Sequence, residues 1–514
     1  MSAPAAGDTP YSIPASSAPA SSAPAPRGAW PTVAVVAGGL FLSVASTTVV
    51  GVALPTMGRD LRASAAELEW IVDAYVLVYA SLLIAGGVIG DRRGRKGVFM
   101  LGIAFFGLGS LMTGLAPSVV PLLSGRVLQG LGPALLVPGS LTIIRATFGD
   151  PRQRAAAIGL WSMSSGLALA VGPVLGGVIV GVFGWRWVFL LNVPLAAVLI
   201  LLAARFVPRL PRNPPRGRFD WPGAILTTAA VAAVAFAIIE GQGHGWRSPL
   251  ILAAFAAGIA ALAAFVVWEC HLAEPLVDVS LFSRAAFTAA NVAALLVFFS
   301  FVGGIVYLSA FLQQVQGHSP VTAGIEVSVL GIGFAIAAPL SGRLVGRIGA
   351  RTPMLAGLTL SGAATLILVR LTPATGIGGL WWNFALVGGG VGLCLTPMTA
   401  IAVSAVGASR AGMASAVHNA MRQVGQVLGV AVLGALVYAR LPGGSGAVAR
   451  LPAARGALFV EGLHGALWLS GLVLIGAAAL AAVALPPTRG GVNPEGVNPE
   501  AGQAAASQPR EPGR

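Results

Sequence analysis

Long apolar stretches separated by short polar connections occupy most of this 514-residue chain. A helix needs about 20 residues, at a rise of about 1.5 Å each, to cross the hydrocarbon core of a bilayer. Lipid offers no partners to backbone N–H and C=O groups, and the alternation typical of barrel strands is missing, so the stretches are predicted to be helices. The pattern predicts fourteen spans, at about residues 33–55, 70–90, 98–116, 119–144, 155–181, 187–207, 222–240, 249–268, 288–312, 322–345, 353–371, 379–405, 412–438 and 463–485.

A sequence repeat relates the two halves of this series of predicted spans. The segment Gly87–Lys96, between the second and third predicted spans, reappears 255 residues later as Gly342–Arg351. Parallel repeats related by an axis along the membrane normal are a recurrent plan of transporters, in which the substrate path lies between the halves. The chain is therefore predicted to consist of two similar halves.

The repeat assigns the predicted spans to two six-helix bundles, at residues 30–208 and 285–487. Two further helices, within residues 221–268, are predicted as an insertion between the bundles. Residues 1–29 are rich in Pro, Ala and Ser, and residues 488–514 are similarly poor in apolar side chains. Such segments bury too little apolar surface to offset the entropy of ordering, so both are predicted to be disordered cytoplasmic tails.

Composition supports the membrane assignment and excludes other classes. Hydrophobic residues make up 56% of the chain and charged residues 9%, which is too little polar surface for a water-soluble globule of this length. The net charge of +14 lies in short runs between spans and not on one face, so no nucleic-acid partner is expected. With only Cys270 and Cys394 available, neither a disulfide framework nor a metal cluster is predicted.

The distribution of basic residues predicts the topology. With the amino terminus in the cytoplasm, the internal loops carry about twice as many Arg and Lys residues as the external loops, as the positive-inside rule requires. Both termini are therefore predicted to be cytoplasmic. No phosphate-binding loop and no spacing typical of a catalytic triad occur, so neither an enzyme activity nor a cofactor is expected.

The first copy of the repeat is a candidate cytoplasmic gate. Its glycines permit close helix packing and a tight turn, Asp91 ends the span, and the basic side chains hold the loop at the membrane surface. A plain basic hairpin would have a similar composition, and that alternative stays open. The residues assigned to the gate are Gly87, Asp91, Arg92, Gly94, Arg95 and Lys96.

Three motifs together carry a family resemblance. The segment Gly87–Phe99, with Ile89 in place of the usual Leu, resembles the loop signature of the major facilitator superfamily, and Arg126–Gly132 resembles its second signature. Gly166–Gly177 is similar to the helix-five motif of the antiporter branch; its characteristic residues are Gly166, Gly172, Pro173, Gly176 and Gly177. Ordinary packing of small residues would be the alternative reading of that run, although the Gly-Pro-x-x-Gly-Gly spacing is specific.

Other segments are similar to the fourteen-helix drug:proton antiporters within this superfamily. They are Trp185–Pro194, Glu274–Asp278 with Leu281 and Phe282, and Gln313–Pro320, and the resemblance extends from about Trp30 to Pro487. It implies an all-helical fold of two six-helix bundles plus two inserted helices. It also implies efflux of small amphipathic drugs or antibiotics, driven by protons, across the cytoplasmic membrane of a bacterium.

The alternatives are a metabolite importer or symporter of the same fold, and a transport-inactive membrane sensor. The motif at 166–177 argues against import, and the lack of a soluble output domain argues against a sensor. The expected partners are therefore a small-molecule substrate, protons and the lipid bilayer. The transporter is expected to work as a monomer.

Ionisable residues within spans are costly to bury and often mark a transport pathway. Asp73 is predicted to bind either a proton or a cationic drug, because burial disfavours a charged carboxylate and a bound cation favours it. A shallow position at the membrane interface is the alternative. Glu326 occupies nearly the matching place in the second half, although a helix amino end also favours an acidic residue there.

Two arginines complete the set of candidate coupling residues. Arg126 lies within a span and must find carbonyls, water or a carboxylate, so it is predicted either to line the proton path or to organise the core. Arg422, with Asn419 and Gln423, forms a polar cluster in the thirteenth span, where snorkelling toward the interface is the alternative.

The first span departs from the resemblance. Many fourteen-helix exporters carry Asp and Asn in a pattern that ends in Ala-Leu-Pro, but this chain has Ser46 and Gly51 in the aligned run. The first-helix carboxylate is therefore missing, so the resemblance leaves the proton stoichiometry open.

Overall fold

The computed structural model describes residues 28–148, 150–210, 220–272, 275, 277–406, 411–441 and 451–486. Every regular element in these ranges is helical, as predicted. The α-helices are α1 (Ala29–Leu61), α2 (Ala65–Arg93), α3 (Arg95–Leu115), α4 (Val119–Thr147), α5 (Pro151–Phe183), α6 (Arg186–Leu190), α7 (Asn192–Phe206), α8 (Trp221–His244), α9 (Pro249–His271), α10 (Ala285–Ala310), α11 (Pro320–Ile348), α12 (Arg351–Ile367), α13 (Ile377–Ser404), α14 (Ala411–Tyr438) and α15 (Ala453–Ala484). The predicted carboxyl-terminal tail, 488–514, and the first 27 residues of the predicted amino-terminal tail lie outside the described residues.

Thirteen helical segments of the described residues are long and apolar enough to cross a membrane. The helix α2 is not one of these thirteen, but it has 29 residues and packs against two of them, α4 and α14. A capping box begins α2: the Ser64 side chain accepts the Glu67 N–H, and the Glu67 carboxylate accepts the Ser64 N–H. The polar residues at the start of α2 therefore cap the helix and do not interrupt it.

Two predicted spans differ in detail from the structure. The sixth is broken at Leu191 into the short α6 and the longer α7. The last helix begins at Ala453, about ten residues before the predicted span, because a helix continues beyond the apolar stretch that its sequence shows.

The helices form two groups with an inserted pair. In the first group α4 packs against α2 and α3, and in the second α10 packs against α14 while α13 packs against α11 and α12. The groups meet mainly where α5 contacts α11 and where α2 contacts α14. The inserted helices α8 and α9 pack against each other, and α8 also contacts α2 and α14.

The two copies of the sequence repeat form matching turns. Gly94 lies between α2 and α3 with φ of 102°, and Gly349 lies between α11 and α12 with φ of 79°. Only glycine adopts such positive φ values without strain, which explains why both copies have it there. We call the end of the bundle with the Gly94 turn the inner end, and the opposite end, with Gly184, the outer end.

Close contacts between α5 and α11 join the two groups in the outer half. Gly166 of α5 and Phe334 of α11 lie in contact near mid-helix, and the helices stay close from there to the outer end. The groups are therefore closed against each other at the outer end.

Candidate functional site

Arg126 of α4 is fully buried and binds groups from three helices. Its Nε donates to the backbone oxygen of Ile71 at 2.8 Å, and its Nη1 donates to Gln129 Oε1 at 2.6 Å and to Ser46 Oγ at 3.2 Å. The guanidinium also lies 4.4 Å from the ring centroid of Tyr75. These contacts join α1, α2 and α4.

Asp73 of α2 is completely buried beside this arginine. Neither of its carboxylate oxygens has a hydrogen-bond partner among the described residues. The carboxylate is therefore shielded from solvent in this structure. Because an ionised carboxylate without a donor is costly to bury, Asp73 is well suited to accept a proton or a cation.

Two further carboxylates, which the sequence pattern did not single out, lie on or beside α2. Glu69 precedes it by four residues, so the two side chains share one face of α2. Glu240 of α8 accepts a hydrogen bond from Trp70 Nε1 at 3.1 Å. The charges of Asp73 and Glu240 both act on Glu69. The i, i+4 spacing of Glu69 and Asp73 was the sequence signal that could have revealed this group.

Glu326 has a different partner. It lies near the start of α11, where its Oε2 is 3.0 Å from Nδ1 of His318. This contact holds the loop before α11, and no hydrogen bond among the described residues joins Glu326 to Asp73 or Arg126. This arrangement fits the alternative of an acidic residue near a helix amino end.

The polar cluster of the thirteenth span lies in α14 and extends toward the first group of helices. Arg422 Nη1 donates to Asn419 Oδ1 at 3.2 Å, and the guanidinium lies 4.2 Å from the ring centroid of Phe298. Gln423 Oε1 accepts a hydrogen bond from Gln426 Nε2 at 2.8 Å, and the Gln423 side chain lies close to Tyr79 of α2. The cluster thus connects α14 to the helix that carries Asp73.

The Gly166–Gly177 motif lies at contacts of α5 with two helices. Gly172 and Gly176 face α1, and Gly166 and Gly177 face α11. A side chain at Gly177 would collide with the backbone of Pro320, while the backbone oxygen of Pro173 occupies the space beside Gly324 of α11. Small residues here permit the close approach that closes the outer end.

The predicted gate residues lie at the inner end of the first group. Gly87 packs near Pro138 of α4, and the N–H of Gly94 donates to the backbone oxygen of Gly90 at 3.0 Å. Lys96 Nζ donates to the backbone oxygen of Ala204 at 2.7 Å, which ties the loop to α7. Arg92 and Arg95 flank the turn at the ends of α2 and α3; the Asp91 side chain lies outside what the structure describes.

Comparison with known proteins identifies the family. The family model described as Major Facilitator Superfamily matches residues 36–430. The chain belongs to the Major Facilitator Superfamily. This membership, together with the all-helical architecture, confirms the predicted fold class, that of a multi-pass membrane transporter.

Relatives within the superfamily include resistance and export proteins. The multidrug resistance protein Stp of Mycobacterium tuberculosis is 36% identical over 78% of this chain and 75% of its own length. The tetracenomycin C resistance and export protein of Streptomyces glaucescens is 35% identical over 80% of this chain and 76% of its own. A crystal structure of a bacterial homologue of the human lysosomal transporter Spinster, at 20% identity, covers 89% of this chain and 97% of its own with a TM-score of 0.65, which supports the fold.

Proposed function

We propose that this superfamily member exports small amphipathic drugs or antibiotics from a bacterial cell in exchange for protons. The observation that carries the proposal is Asp73, a fully buried carboxylate beside Arg126 with no hydrogen-bond partner among the described residues. It lies on α2, a helix of the first group that also packs against α14 of the second. The names of the relatives, which are resistance and export proteins, support a drug as cargo.

The mechanism follows from competition for Asp73. A proton neutralises the carboxylate, and a cationic substrate does so by pairing with it, so the two ligands exclude each other. Arg126 holds the backbone of α2 through Ile71 and thereby positions Asp73. Opening the halves alternately at the inner and outer ends would then exchange cargo for protons.

The orientation in the bilayer is part of this proposal. The bias of basic residues supports an orientation with the inner end, which carries Arg92, Arg95 and Lys96, at the cytoplasm of the bacterial cell. Both termini then lie on the cytoplasmic side. Reporter fusions at the carboxyl terminus and in the loop after Gly184 should be active on opposite sides of the membrane, and activity on the same side would contradict the topology.

The test uses everted vesicles from bacteria that express the full chain. After respiration acidifies the vesicle interior, adding ethidium or tetracenomycin C should release part of the pH gradient, as reported by an acid-sensitive dye. Asp73→Asn should abolish the release, because the amide cannot exchange a proton. Glu461→Gln is a matched control, since that carboxylate is half-exposed and pairs with Arg440 at the surface.

The outcomes separate the competing functions. A symporter that imports substrate with protons would instead collapse an acid-outside pH gradient when substrate is added to right-side-out vesicles. An inactive sensor would leave the pH gradient unchanged in both orientations. Equal release by the unaltered protein and by Asp73→Asn would refute the assigned role of Asp73.

A further inference from the structure

Glu69 occupies an unusual position for a carboxylate. Only 6% of its surface is exposed, and it lies in the outer half, where α2 faces the second group of helices. Its Oε1 lies against Gly434 of α14 and 3.4 Å from the hydroxyl of Tyr307 of α10. A small cavity between the two groups opens beside it. The lining includes Leu54, Glu69, Val306, Tyr307, Gln314 and Tyr438.

The hydrogen bonds around Glu69 favour a proton on its carboxyl group. The hydroxyl of Tyr307 has one hydrogen, which it donates to the backbone oxygen of Val430 at 2.7 Å. Its remaining hydrogen-bonding capacity is as an acceptor, so the 3.4 Å contact with Glu69 is satisfied when Glu69 is the donor. A carboxyl group can donate only when it is protonated.

Among the residues that the structure describes, no positive charge faces Glu69 to compensate an ionised carboxylate. Its own helix contributes Asp73, α8 contributes Glu240, and the neighbouring hydroxyls are those of Tyr307 on α10 and Tyr438 on α14. The wall formed by α1 is apolar at Leu54 and Pro55. Arg126 of α4 acts on Asp73, deeper in the bundle.

Asp73 provides the second element of a relay. It lies one helical turn deeper than Glu69 on the same face of α2, where Cβ atoms at this spacing are about 5–6 Å apart. Asp73 has no hydrogen-bond partner among the described residues, although it is completely buried. A proton that leaves Glu69 therefore has an unsatisfied acceptor directly inward of it.

We propose that Glu69 is a proton relay that accepts a proton from water at the outer end and passes it to Asp73. The O–H bond of Glu69 breaks as that of Asp73 forms, and the Glu69 carboxylate is protonated again from outer water when the halves separate there. This relay rests on the proposed proton exchange. It also supplies, on α2, a second carboxylate in a chain that has Ser46 in α1 where similar exporters have an acidic residue.

The test uses the purified full chain in liposomes and two measurements with ethidium. One is transport driven by an imposed pH gradient, and the other is exchange of labelled for unlabelled ethidium at equal pH, which needs no net proton movement. Glu69→Gln keeps the size of a neutral carboxyl group but cannot pass on a proton. We expect it to slow gradient-driven transport about tenfold or more, and to leave exchange within about twofold.

Two variants control for structural effects. Glu69→Asp retains a carboxylate and should keep more gradient-driven transport than Glu69→Gln. Glu67→Gln alters a partly exposed carboxylate two residues away, and Gln preserves its capping role, so both activities should be unchanged.

The relay is overturned if Glu69→Gln transports as well under a gradient as the unaltered protein. It is also overturned if the variant loses exchange together with driven transport, since this pattern indicates a packing role. If the unaltered protein itself exchanges ethidium but ignores the pH gradient, the proton-driven function fails first, and the relay fails with it.

Discussion

Closure of the outer end depends on close backbone contact between α5 and α11, and a single methyl group should weaken it. In Gly177→Ala the added Cβ would overlap the backbone of Pro320, which cannot move aside as a flexible side chain can. Gly159→Ala adds the same methyl group to the same helix at a position with no neighbouring atom within 4 Å. Comparing the two variants therefore separates the effect of steric overlap at the contact from the general preference of helices for alanine over glycine.

The magnitude follows from the cost of overpacking. Forcing an extra methyl group into a close contact costs about 1–3 kcal/mol. If this cost falls on the closed state alone, the ratio of outer-open to outer-closed molecules rises about 5-fold to about 150-fold. Both variants should fold, because the closing contact is not needed within either helix group.

A buried cysteine at the outer end can report the opening. Ala310 lines the outer cavity and is 5% exposed, so Ala310→Cys should react with a maleimide only when the halves separate there. The exposed Cys270 is first replaced by Ser, and the buried Cys394 is retained. In detergent, Gly177→Ala should increase the labelling rate by the calculated factor. Equal rates for Gly177→Ala and Gly159→Ala would refute the idea that this contact sets the closed state.

Three further changes test the polar contacts. Arg126→Lys removes the guanidinium fork and should lower stability by about 2–4 kcal/mol, measured as an earlier unfolding midpoint in detergent; an unchanged midpoint would show that the fork does not organise the core. Ser46→Asp adds a carboxylate beside Arg126 Nη1 and should raise the number of protons exchanged per substrate in liposomes, whereas an unchanged ratio would exclude a proton site there. Trp70→Phe removes the donor to Glu240 and should cost about 1 kcal/mol of unfolding free energy, with Trp381→Phe, an exposed tryptophan, as control.

The helices were predictable because each one satisfies its own backbone in lipid, so apolar length alone indicates a span. Helix ends were less predictable, since they depend on polar residues near the membrane surface. The start of α15 at Ala453 precedes the apolar stretch, and the break at Leu191 occurs within a continuous apolar run. Neither feature produces a clear change in hydropathy along the sequence.

The candidate site was predictable only in part. Asp73 and Arg126 stand out in the sequence because charges are rare within spans. Glu69 does not, because a carboxylate near the start of a helix normally faces water or caps the helix, as Glu67 does. Its burial comes from Gly434 and Tyr307, which lie in the other half of the chain and more than 200 residues away. Such contacts between halves cannot be obtained from local sequence pattern.

The position of α2 explains how a charge change could move the halves. One face of the helix is held by Arg126 through the backbone of Ile71, while another faces α14 through Glu69 and Tyr79. Glu69 lies in the contact between the halves, so ionising it there places an uncompensated charge in a closed, apolar contact. Separation at the outer end relieves that cost by admitting water. A proton on Glu69 therefore favours closure, and the same proton is the one that Asp73 receives.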